Sequence, residues 1–205
     1  MPIAPSKANG FSERLFAILS HPSFLSMKGQ ANEVPFFIQT YKPSEEDSVR
    51  RMIESVAVRL RNAGITLKVL DLFNLVLEEL EEQGILDELL RDEATFNKLD
   101  VLETIQNYSD PKTHLVPRLT REIGNDGTQL TLITGSGRIF PFLRTHNILE
   151  SLQPAMMPHP IVIFFPGEYD QDPNGGSHLK LFGSIPSPHI NNPYYRATNL
   201  AHFRL

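Results

Sequence analysis

Residues 130–152, LTLITGSGRIFPFLRTHNILESL, decide the fold. LTLIT has the β-branched, apolar make-up of a buried strand, and Gly135 and Gly137 supply the sharp turn that closes it. Beyond that turn Phe140, Leu143, Ile148, Leu149 and Leu152 form an apolar face at helical spacing. The stretch therefore predicts a strand over residues 129–134 and a helix over residues 140–152, with Pro141 in the first turn, where proline is tolerated. A strand turning directly into a helix is the building unit of a parallel α/β sheet.

The same alternation recurs outward from it. Residues 34–41, VPFFIQTY, predict a strand that is apolar through its middle, as one covered on both faces must be. Ser44 is expected to cap the next helix, with Asp47 in the capping-box position and Val49, Met52, Ile53, Val56 and Leu60 as its core face. Gly64 ends it, and residues 65–70, ITLKVL, return as a strand, most simply through a right-handed parallel crossover. Residues 161–165 and 179–185 predict two further strands. Asn174-Gly175-Gly176 between them suggests an antiparallel hairpin. Residues 11–19 predict a short helix stopped at His21-Pro22.

Residues 72–123 form a helical block between strands. Asp71 is placed to cap its first helix, whose core face is Phe73, Val76, Leu77 and Leu80. A second helix carries Phe96, Leu99, Leu102 and Ile105, and a third segment follows the break at Asp110-Pro111. Between Glu78 and Glu93 eight carboxylates stand against Arg91 alone, which predicts a solvated acidic face or an acidic docking surface. Residues 1–205 are thus expected to form a single α/β domain with a mostly parallel central sheet, Rossmann-like or degenerate NTPase-like. Flanking helices, a C-terminal antiparallel hairpin and an irregular tail over residues 186–205 complete the expectation.

A chain of 205 residues holds one sizeable core. Its net charge of -5 gives no chain-wide footprint for nucleic acid, and direct nucleic-acid binding stays open only as a local patch. The absence of cysteine excludes disulfides, thiol catalysis and cysteine zinc sites. No apolar run is long enough to span a bilayer and the N-terminus has no apolar signal core, so a cytoplasmic location without membrane contact is expected.

The turn is the first candidate site. Backbone N–H groups of Gly135, Ser136 and Gly137 could meet an anion, with Arg138, Arg144 and His146 close by. No Lys-Ser or Lys-Thr follows the glycines, so it is not a P-loop, and the third glycine of the dinucleotide fingerprint is missing. A tight structural turn is the alternative reading. Glu168 and Asp170, read as lying in a Pro-Gly turn after a buried strand, could act as metal ligands or a general base. They lack a second acidic pair, and the competing reading is a turn with solvated acids. Tyr194, Tyr195 and Arg196 have the composition of an interface hot spot, or of a tail packed on its own domain. The seven histidines make no HxxxH or HExxH pair and no Gly-x-Ser-x-Gly elbow occurs. No catalytic residue, metal or cofactor is assigned.

Thr134 to Asn147 (TGSGRIFPFLRTHN), Phe164 to Tyr169 (FFPGEY), Leu181-Phe182-Gly183 and Tyr194-Tyr195-Arg196, in that order and spacing, resemble the BrxB family of the BREX bacteriophage-exclusion systems. Such families are encoded beside a large ATPase, an adenine-specific DNA methyltransferase, a Lon-like protease and PglZ, a member of the alkaline-phosphatase superfamily. The resemblance implies an accessory, non-enzymatic component that binds other BREX proteins, PglZ first among them, and it carries over no catalytic residues.

Overall fold

Four parallel strands make the centre of the sheet: β1 (Phe36–Tyr41), β2 (Leu67–Asp71), β3 (Leu130–Thr134) and the first half of β4 (Ile161–Gln171). The structure, a computed structural model, describes residues 5–27, 35–92, 94–124, 126–154, 157–171, 177–183, 185–186 and 197–203. Along each strand successive side chains point to opposite faces, and both faces are apolar. Phe36, Ile38, Ile133, Ile161, Ile163 and Phe165 enter one core, while Phe37, Leu130, Leu132, Val162 and Phe164 enter the other. Two apolar faces require two helical layers. α1 (Pro5–Leu19), the short α2 (Pro22–Leu25) and α3 (Glu46–Asn62) cover the Phe37 face. α4 (Leu72–Glu82), α7 (Val116–Ile123) and α8 (Thr145–Leu152) cover the Phe36 face.

Strand order is β2-β3-β4-β1, continued beyond β1 by β7 (Thr198–Asn199), which is also parallel to it. The expected unit of strand, helix and strand is present, yet β3 and β4 lie between β1 and β2, so its crossover spans two strands. Beyond the parallel region β4 runs on to Gln171 and pairs antiparallel with β5 (Ser177–Leu181), which pairs with β6 (Ile185–Pro186). The connection between β4 and β5 lies outside the described residues. The tail is not irregular throughout: beyond β7, Leu200–His202 forms a 3-10 turn and Phe203 stacks edge-on against Phe24 and Phe37.

Three local expectations need correction. Ser44 does not cap α3. Pro43, with its fixed φ, opens a 3-10 turn over Pro43–Glu45, and the cap position falls on Glu45 without a side-chain bond. The helix after the glycine turn starts at Thr145 rather than Phe140. Pro141 lacks an N–H and disfavours helical backbone at Phe140, so residues 136–142 form tight turns instead. Phe165–Asp170 is no Pro-Gly turn but part of β4. Gly167 is required there because a Cβ would run into the carbonyl of Lys180 across the pairing.

The helical block 72–123 contains α4, α5 (Leu86–Asp92), α6 (Lys98–Tyr108), a π turn at Pro111–Leu115 and α7. Asp71 caps α4 as expected, accepting from the backbone N–H groups of Phe73 and Asn74. Among the described residues no helix is long and apolar enough to cross a membrane.

Candidate functional site

The carboxyl ends of parallel strands are where open α/β sheets place ligands. Here the register sets Asp71 of β2 opposite Thr134 of β3, and Tyr41 of β1 opposite Pro166 of β4. Gly135 follows Thr134 with φ +76, and a Cβ there would stand 2.6 Å from the Asp71 carboxylate. That carboxylate has a partner on every side. Oδ1 accepts from the N–H groups of Phe73 at 3.0 Å and Asn74 at 3.1 Å, and Oδ2 accepts from the Thr134 hydroxyl at 3.1 Å and from the Arg138 guanidinium. Arg138 also lies 5.1 Å from the centroid of the Phe73 ring. The anion beside the glycine turn is therefore the chain's own Asp71.

The rest of the turn is fastened to β4. Ser136 is 1 % exposed and donates to the Phe164 carbonyl at 2.7 Å. A Cβ on Gly137 would meet Pro166 at 2.6 Å, so only glycine lets the turn lie this close. Beside it the Tyr41 hydroxyl donates to Glu46 at 2.6 Å. Burial, then the Glu46 carboxylate, push the Tyr41 phenol far above its usual range, which keeps it a neutral donor.

The sequence grouped Arg144 and His146 with this turn, and the structure sets His146 in the first turn of α8 and Arg144 at its N-cap. Arg144 is the residue before its first turn and stacks 4.9 Å from the Phe140 ring. His146 is 4 % exposed, and burial, opposed by Glu150, holds its imidazole below the ordinary value. Glu168 is exposed on β4 opposite Lys180, whose ammonium is 3.9 Å away, and the backbone register sets Asp170 opposite His178 of β5. Tyr194, Tyr195 and Arg196 lie outside the described residues. Among the described residues no group of three His, Asp or Glu side chains is placed to hold a metal.

A second polar cluster went unrecognised in the sequence. Arg118 of α7, 6 % exposed, reaches three carboxylates of α4: Glu78 at 2.9 Å, Glu79 at 3.3 Å and Glu82 at 2.8 Å. Glu79 is itself 7 % exposed and meets His114 at 3.2 Å. Burial opposes its charge, but hydrogen bonds with His114, Gln83 and Arg118 outweigh burial and hold the carboxyl below its usual range. Burial likewise works against the Arg118 guanidinium, and its bonds to Glu82, Glu78 and Glu79 more than offset it. The acidic face of α4 is thus not simply solvated: part of it braces α7. Spacing alone marks the acceptor side, since Glu78 and Glu82 are one turn apart, but it does not name the arginine 36 residues beyond Glu82.

The fold and this site define a class first: a three-layer, mainly parallel α/β protein whose strand-end polar groups bind one another. Within that class the comparisons are specific. The family model described as BREX protein BrxB matches residues 68–200. A BREX protein BrxB of Bacillus cereus (strain H3081.97) is 33% identical over 92% of this chain and 96% of its own length. Another of that name, from Escherichia coli O9:H4 (strain HS), is 22% identical over 89% of this chain and 86% of its own. The chain belongs to the BrxB family. No solved structure matches it significantly.

Proposed function

We propose that this chain is a component of a BREX phage-defence system that acts as a non-enzymatic adaptor in the cytoplasm, with PglZ as its first partner. Family membership supports the BREX setting. The observation that carries the non-enzymatic part is the Asp71 carboxylate beside Gly135. A phosphate entering that turn would have to displace an anion already bound by two backbone N–H groups, a hydroxyl and Arg138. No Lys-Ser or Lys-Thr stands behind it to clamp a nucleotide and its magnesium. Tagged protein expressed with its BREX neighbours should co-purify with PglZ, and the purified chain alone should neither hydrolyse ATP nor cut DNA. Turnover that disappears in a folded Arg138→Ala variant would overturn the non-enzymatic part. Failure of every BREX protein to co-purify would overturn the adaptor.

A second reading, a nucleotide- or nucleic-acid-binding module built on residues 135–144, is favoured by one observation. The Arg138 side chain is 41% exposed at the strand ends while bound to Asp71. If it takes phosphate in competition with that carboxylate, Asp71→Asn should tighten binding to a single-stranded oligonucleotide, and added salt should weaken it.

A further inference from the structure

The helical lobe formed by α4, α5 and α6 is the one described region where large apolar side chains gather at the surface. α6 has eleven residues and none of them is fully buried, although Val101, Ile105 and Tyr108 lie at i, i+4 and i+7 on one face. Two cavities of about 360 Å³ and 210 Å³ open beside that face and adjoin at Leu89 and Val101, which line both, so together they lay out a trough. Leu90, 66% exposed, lines the smaller cavity, and Phe96, 38% exposed, lines the larger. A small molecule seated in either cavity would not cover both of these side chains. An elongated apolar object would.

Charge narrows the occupant. Over residues 85–108 the acids are Asp87, Glu88, Asp92, Glu93, Asp100 and Glu103, against Arg91 and Lys98. Arg91 is partnered by Asp92 at 3.4 Å, and Glu88 and Asp100 line the larger cavity itself. This surplus is separate from the carboxylates of α4 that hold Arg118. A second copy of the chain would bring the same acidic rim against it, which like charge disfavours. An amphipathic helix with basic flanks matches both the apolar floor and the acidic rim.

We infer that the trough between α5 and α6 is the docking site for a basic amphipathic helix of a partner protein. The inference rests on the adaptor reading above and gives it a surface. The probe is a fluorescent helical peptide of about 18 residues, with leucines at i, i+3, i+4 and i+7 and lysines elsewhere. Controls keep the leucines but replace lysine by glutamate, or keep the composition and scramble the order. Anisotropy with the full chain should show binding of the basic peptide alone, weakened by salt. Glu88→Lys with Asp100→Lys, and separately Leu90→Ser with Phe96→Ser, should each weaken it about tenfold with the circular dichroism unchanged. Equal binding of the acidic peptide, no binding of the basic one, or unchanged affinity in both variant pairs would overturn the inference. So would a concentration-dependent dimer that Phe96→Ser abolishes, which would give the trough to a second copy. Co-purification separates the two readings. If BREX partners accompany the Leu90→Ser, Phe96→Ser protein as they do the wild type, the trough fails and the adaptor stands. If none accompanies the wild type, the adaptor fails and the peptide result still decides the trough.

Discussion

The strand ends and the helical lobe differ in what they leave unsatisfied. At the strand ends Asp71, Thr134, Ser136 and Arg138 are matched donor to acceptor, and the glycines let these groups close in. In the lobe α6 keeps every side chain at least partly exposed and Leu99 stands in solvent. The sequence motif that most resembles a ligand site is thus internally complete, whereas an unremarkable helix presents the uncovered surface. Unmet apolar area points outward to a partner more directly than a glycine turn does, because the chain can meet the turn's anion requirement from within.

That contrast can be broken most strongly at Arg118. Truncating a buried ion-pair partner leaves uncompensated carboxylates, so Arg118→Ala should lower stability in urea by about 3–5 kcal/mol. Pairing it with Glu79→Met should recover most of the loss. A cost below about 1 kcal/mol would return the cluster to the ordinary solvated surface. Next comes Gly135→Ala, which combines φ +76 with a Cβ 2.6 Å from the Asp71 carboxylate and should cost about 2 kcal/mol. Gly127→Ala is its control: φ is +86 there, but the space is open, and a loss of about 1 kcal/mol is expected. Equal losses would show that the closeness of Asp71 adds nothing.

Smaller still is the acid response of the α4 cluster. Glu79 titrates below its ordinary value of 4.5 in the folded chain. Its contribution is therefore present above the unfolded value and fades as pH falls through the folded one. Glu79→Gln should flatten the acid limb of a stability–pH profile; an unchanged limb would remove Glu79 from it. Least of all, Leu90→Ser and Leu99→Ser should each change stability by no more than about 0.5 kcal/mol, since neither is packed. A larger loss would mean that the lobe surface is core.

Periodicity made the sheet legible. The four parallel strands, the cap at Asp71 and the end of α3 at Gly64 follow from alternation, capping chemistry and a positive φ. The late start of α8 was misread because apolar spacing continued through Pro141 while the backbone could not. Strand order had no local signature, since β1 and β2 are consecutive along the chain yet two strands apart. The site was half legible. The glycines and Arg138 were recognised from the turn, and Asp71 was seen only as a helix cap, because its second role depends on the register of β2 against β3. Arg118 stayed hidden for the same reason: its acids are a helix pattern, but its own position is fixed only by tertiary packing.

The placement of β1 between β4 and β7 sets a timetable. As the chain is made, β1 emerges first among the described strands and its neighbours β4 and β7 are the fourth and the last, so Phe36–Tyr41 waits with two bare edges while more than half of the protein is synthesised. Such long-range closure is slow, and an apolar strand left open is an invitation to pair with another molecule. A ribosome that stalls after α8 would release a chain with every helix of the parallel core and no partner for β1, a product fit for aggregation or proteolysis rather than for assembly.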